Sequence, residues 1–181
     1  MTFLILHGIQ GRAGMHWQQW LHNELVKRGH RVIMPEMPEP NHPDRREWLY
    51  TAVRLLKDVD PADLVIVGHS LGVATALDYI EQSPATVKAL IAVSGFAEDY
   101  GAELNSYFMK GKRIDFNTVL AHLEQAHVLY GDNDPYVPQH ALKDLAQKLH
   151  VQPIIMAGGG HLNTDAGYTE FPALLEIIET L

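Results

Sequence analysis

Three residues far apart in the chain stand in settings that would let them act together. Ser70 lies in Gly68-His69-Ser70-Leu71-Gly72, Asp134 in Gly131-Asp132-Asn133-Asp134-Pro135-Tyr136-Val137, and His161 directly after Gly158-Gly159-Gly160. A serine hydroxyl is a poor nucleophile at neutral pH. It attacks a carbonyl when a base takes its proton, and a carboxylate must fix the tautomer of that base and stabilise its charged form. His161 is the candidate base and then acid, and Asp134 its orienting carboxylate. Asp132 competes for that role. Asp134 holds the position that Gly-x-x-Asp-x-x-Val assigns to the acid, with Gly131 and Val137 flanking it.

The elements around these residues must place them at one end of a sheet. The apolar run Val65-Ile66-Val67 leads into Gly-x-Ser-x-Gly, and Val73, Ala74, Leu77 and Ile80 follow at helical spacing. A strand turning into a helix within so few residues is a nucleophile elbow, with Ser70 strained at the corner and its hydroxyl exposed. Gly68 and Gly72 let strand and helix pass closely. The backbone N–H of Leu71, at the positive end of the helix, is one candidate oxyanion donor. The second should come from the loop after the first strand, His7-Gly8-Ile9-Gln10; Ile9 is the better choice and Gln10 the alternative. The serine, acid, histidine order along the chain is that of an α/β-hydrolase.

Along the whole chain, short apolar runs alternate with amphipathic segments. Thr2–Leu6, Arg31–Met34, Asp63–Val67, Lys88–Val93, Ala126–Tyr130 and Val151–Met156 read as six strands. Pro153 sends the last to a sheet edge. Between them, helices carry Trp17, Trp20, Leu21 and Leu25; Trp48, Ala52, Leu55, Leu56 and Val59; Leu142, Leu145, Ala146 and Leu149; and Phe171, Leu174, Leu175 and Ile178 on their inner faces. Gly29 stops the first helix, and Asp44 with Glu47 resembles a capping box. Residues 35–43, rich in proline, form a loop. Val119–Leu123 reads as a short helix in the irregular stretch 94–125. The alternation specifies a three-layer α/β/α sandwich on a mostly parallel six-stranded sheet, one domain over residues 1–181.

Composition excludes several classes. A net charge of −8, with the 14 Lys and Arg scattered, argues against nucleic acid. No cysteine is present, so disulfides, thiolate zinc sites and thiol catalysis are out. The glycines after the first strand fit neither Gly-x-Gly-x-x-Gly nor a Walker loop, and no His-x-His or His-Glu-x-x-His occurs, so neither a cofactor nor a metal is expected. The N-terminus lacks the basic segment and apolar length of a signal peptide, which leads to the expectation of a cytoplasmic protein without membrane association. Of the other histidines, His16, His22, His30, His42, His122, His127, His140 and His150 are expected at the surface or at helix ends, and His69 packed beside Ser70.

With Leu6-His7-Gly8, Trp17 and Trp20, Gly68-His69-Ser70-Leu71-Gly72, Asp132-Asn133-Asp134-Pro135-Tyr136-Val137-Pro138 and Gly160-His161, the chain resembles the small, capless α/β-hydrolase-fold serine hydrolases of the retinoblastoma-binding-protein-9 type. The resemblance implies a Ser70, Asp134, His161 triad and hydrolysis of small esters. Gly131 stands where such relatives often carry serine. About 32 residues separate the fourth and fifth strands, too few for a large lid, so an open site is expected, with Phe96, Tyr107, Phe108 and Tyr136 as candidate walls. The expected partner is a small-molecule ester. The alternatives are a non-catalytic protein-binding module on a hydrolase scaffold, or an acyltransferase or peptidase using the same triad.

Overall fold

The computed structural model describes all 181 residues. Six strands, β1 (Thr2–Leu6), β2 (Arg31–Ile33), β3 (Leu64–His69), β4 (Val87–Val93), β5 (Leu123–Gly131) and β6 (Ile154–Met156), form one sheet in the order β2-β1-β3-β4-β5-β6. Every pairing is parallel. The helices are α1 (Gln18–Lys27), α2 (Arg45–Leu55), α3 (Leu71–Glu81), α4 (Ser106–Lys110), α5 (Phe116–Ala121), α6 (Gln139–Lys148) and α7 (Pro172–Ile178). The architecture is the expected three-layer sandwich, with the sheet parallel throughout. No helix is long and apolar enough to cross a membrane.

Alternation along the strands divides the core between two faces. Leu4, Leu6, Leu64, Ile66, Leu90 and Tyr130 pack with Trp48 and Ala52 of α2, Leu77 of α3 and Leu142 and Leu145 of α6. Phe3, Ile5, Val65, Val67, Ile91 and Leu129 pack with Trp17, Leu21 and Leu25 at and in α1, and with Leu174 and Ile178 of α7. A strand covered on both sides has no polar face to show, which is why β1 and β3 read as unbroken apolar runs.

Several boundaries moved. Trp17 sits just before α1 rather than in it, still fully buried. Strand β5 starts at Leu123, three residues early, and α5 stops at Ala121: the His122 carbonyl accepts from Val87 N–H, so the chain there already pairs with β4. Strand β6 spans only the residues after Pro153, which cannot donate to a ladder, and it lies at the edge as expected. The Asp44 carboxylate accepts from Arg46 and Glu47 N–H, capping α2.

One tie was invisible in the pattern. Arg45 donates through Nε and Nη2 to both oxygens of Asp78 at 2.7 and 2.9 Å, and through Nη1 to the carbonyls of Phe108, Met109 and Lys112. A buried guanidinium so fully satisfied joins α2, α3 and the α4 segment beside the apolar packing of Trp48, Leu77 and Phe108.

Candidate active site

The strand order reverses direction between β1 and β3, so the loops leaving their C-terminal ends diverge and open a crevice, the usual ligand position in an open α/β sheet. Ser70 stands at this point with φ 54° and ψ −123°, a left-handed conformation that a non-glycine residue holds only under strain. Its N–H donates to the Val93 carbonyl at 2.9 Å, locking the corner to β4. A methyl group at Gly72 would come within 2.7 Å of the Leu6 and His7 carbonyl oxygens, so only glycine lets α3 start this close to β1. The elbow is therefore built as the sequence pattern required.

The N–H of Leu71 opens α3 and has no acceptor within the protein. In the loop after β1 the Gln10 N–H is committed to the Pro40 carbonyl at 2.7 Å, with Gln10 at φ 58°. The Ile9 N–H has no such acceptor, and Ile9 lines the same cavity as Ser70. Of the two alternatives, Ile9 is the free donor. The proline-rich stretch holds this loop in place: His7 donates from Nδ1 to the Gly8 carbonyl at 2.8 Å and accepts at Nε2 from Met37 N–H at 3.0 Å, and Ala13 N–H reaches the Glu36 carboxylate. These bonds require His7 neutral, and burial lowers its pKa accordingly.

His161 and Asp134 meet across 27 residues. His161 Nδ1 donates to Asp134 Oδ2 at 2.7 Å, and the Asp134 side chain is fully covered. Its other oxygen accepts from Tyr136 and Val137 N–H at 2.9 and 3.0 Å. The Nδ1 bond leaves Nε2 as the free ring nitrogen of His161. Ser70 and His161 line one cavity of about 280 Å³, though Ser70 Oγ makes no hydrogen bond to the ring. Such contacts often tighten only when substrate is bound. Asp132, the competing acid, is occupied elsewhere: it accepts from Gly158 N–H at 2.7 Å, while the Asn133 side chain accepts from Gly160 N–H at 2.7 Å. Both hold the glycine loop that carries His161. Gly131 is needed for the same contact, since a Cβ there would lie 2.3 Å from the Gly160 carbonyl oxygen.

Two buried side chains grip the far side of that loop. Trp17 Nε1 donates to the Leu162 carbonyl at 2.9 Å and His69 Nε2 to the His161 carbonyl at 2.9 Å. Burial drives the His69 pKa well below its ordinary value, with the nearby His161 acting in the same direction. A neutral imidazole can thus lie 4.8 Å from the His161 ring.

Some walls differ from expectation. Tyr136 lines the cavity, edge-on to His161 at 5.1 Å. Phe96 and Phe108 are core residues, and Tyr107 stacks on His42 beside a different, larger cavity of about 430 Å³ between α2 and α4. That cavity holds the Arg45–Asp78 pair and none of the candidate catalytic residues. Tyr100, Leu104, Asn105 and Gln18 line the Ser70 cavity instead. His16, expected at the surface, is there too. Its Nδ1 accepts from Thr164 N–H at 3.1 Å, and burial, then His161, lowers its pKa. A His-Trp pair before a helix carries no signal of this placement. No group of three or more His, Asp or Glu is arranged to hold a metal ion.

Comparison with known proteins identifies the family and the fold. The family model for serine hydrolases matches residues 3–180. The Bacillus subtilis (strain 168) protein YdeN, described as a hydrolase, is 28% identical over 177 residues, which cover 96% of this chain and 92% of YdeN. The crystal structure of the B. subtilis ydeN gene product superposes with a TM-score of 0.91 over 99% of this chain and 97% of that one, at 28% identity. A YdeN-like hydrolase from Pectobacterium atrosepticum, 19% identical, shares the fold at a TM-score of 0.75, covering 98% and 89% of the two chains. A structure from Nitrososphaera gargenis, from work on carboxylesterases, shares it at 0.70 with 13% identity, covering 99% and 88%.

Proposed function

This chain belongs to the serine hydrolase family, and from that premise we propose that it is a carboxylesterase acting on small esters through an acyl-serine intermediate. The observation that carries the reading is the 2.7 Å bond from His161 Nδ1 to the covered carboxylate of Asp134, with His161 lining the same cavity as Ser70. Ser70 Oγ attacks the ester carbonyl as His161 Nε2 takes its proton. The tetrahedral oxyanion is met by the N–H groups of Ile9 and Leu71, each such donor contributing about 3 kcal/mol. His161 then protonates the departing alcohol, and a water, deprotonated by His161, frees the acid and regenerates Ser70. Asp134 holds the ring and stabilises it when charged.

The motifs shared with retinoblastoma-binding-protein-9-type hydrolases support the same reading. The absence of a large insertion between β4 and β5 leaves room for small, varied esters. Labelling with a fluorophosphonate probe, read by mass spectrometry, tests the reading directly. Modification of Ser70 that disappears in His161→Ala is the expected result. Folded protein that takes no label would turn the reading toward a binding role on a hydrolase scaffold.

A further inference from the structure

Gln18, the first residue of α1, lines the Ser70 cavity and is fully buried. Neither its side-chain nitrogen nor its side-chain oxygen makes a hydrogen bond to any protein group. Asn105, also buried, lines the same cavity; its Nδ2 donates to the Tyr100 hydroxyl at 2.9 Å and its Oδ1 is unpartnered. A buried amide with both ends unmatched costs free energy, and proteins rarely tolerate one without a use. A hydrophobic side chain of similar size would fill the space at no such cost.

The unmatched set is one donor, Gln18 Nε2, and two acceptors, Gln18 Oε1 and Asn105 Oδ1. A primary carboxamide offers the complement: one carbonyl acceptor and two N–H donors. A carboxylate has no N–H to give, and no lysine or arginine lines the cavity to balance its charge, while Asp165 stands in the wall. We propose that this site selects esters bearing a neutral primary carboxamide on the acyl or the alcohol part, with Gln18 as the residue that recognises it. The inference rests on the esterase reading above.

Two matched pairs of substrates test it, because an isobutyl group has nearly the shape of a carboxamide-bearing methylene and none of its hydrogen bonds. Ethyl succinamate is compared with ethyl 4-methylpentanoate, and glycolamide butyrate with isobutyl butyrate, by acid release in a pH-stat. The wild-type enzyme should turn over at least one carboxamide with kcat/KM more than about 10-fold above its partner, since a site built for hydrogen bonds rejects analogues that lack them. In Gln18→Met that ratio should collapse toward one, while the melting temperature rises because two unpaired buried atoms are gone. A melting temperature that falls, with the ratio kept, assigns Gln18 to structure and overturns the proposal. So does an enzyme that labels at Ser70 yet prefers neither carboxamide, a result that needs no variant to fold. Failure of Ser70 to label sinks the esterase reading instead, so the two failures are told apart.

Discussion

Ser70 and its two candidate partners are positioned by two different kinds of structure. Ser70 is fixed within five residues: β3 ends, α3 begins, and close packing of Gly72 against β1 leaves the serine a single strained conformation. Asp134 and His161 sit on two separate loops after β5 and β6, and the bonds that align them come from Asp132, Asn133, Trp17 and His69. Close backbone packing around one short turn builds the first half, and side-chain hydrogen bonds between separate loops the second. The second half therefore has more places to fail by degrees, whereas the first either forms or does not.

The sharpest break of that comparison is Asp134→Asn. It keeps the shape but permits the wrong tautomer at His161, and kcat should fall by about 10⁴ while the melting temperature changes little. Steady-state ester kinetics beside a thermal melt would show this; a fall under tenfold would reassign the acid. Gly131→Ser should come next. Its Cβ would meet the Gly160 carbonyl at 2.3 Å and push the His161 loop away, and a displacement near 1 Å costs about 10² in kcat. An undiminished kcat would show that the two loops adjust independently.

Trp17→Phe should act more gently. It takes the indole N–H from the Leu162 carbonyl, an unmet acceptor worth about 1–3 kcal/mol, and leaves a small cavity at a fully buried site, seen together as a lower urea midpoint with kcat reduced less than in Gly131→Ser. The smallest effect, group by group, concerns pH. Burial lowers the pKa values of His7, His16 and His69 in the folded protein. Each folded value lies below the unfolded one of about 6.5, so at mildly acidic pH the unfolded chain binds more protons. Stability from these groups is thus complete above that pH and is lost as pH falls below it, by at most about 1.4 kcal/mol per pH unit for each group. Melting temperatures measured from pH 7.5 down to 5.5 should decline, and His69→Gln, which cannot take the proton, should decline less steeply. Equal slopes would place the loss elsewhere.

How much could be read in advance follows the same division. The elbow was legible because its signals are adjacent in sequence: an apolar strand, two glycines and a helical period. The edge position of β6 was legible from Pro153, since a missing N–H is a property of the residue itself. The start of β5 was not, because pairing of the His122 carbonyl with Val87 overrides the helical pattern of Val119–Leu123. Asp132 and Asp134 are alike in type and two residues apart, and only the fold decides that one holds the Gly158 backbone and the other the His161 ring.

The sequence by itself determined the order of strands and helices and the candidate residues for the chemistry, because periodicity and turn chemistry act over a few residues. Tertiary structure alone decided that Ile9 rather than Gln10 keeps a free N–H, that Phe108 is core while Gln18 and His16 line the cavity, and that Arg45 finds Asp78. Each of these depends on a partner more than 25 positions away or on the loops that close over one end of the sheet. No local pattern encodes a distance between residues that only folding brings together.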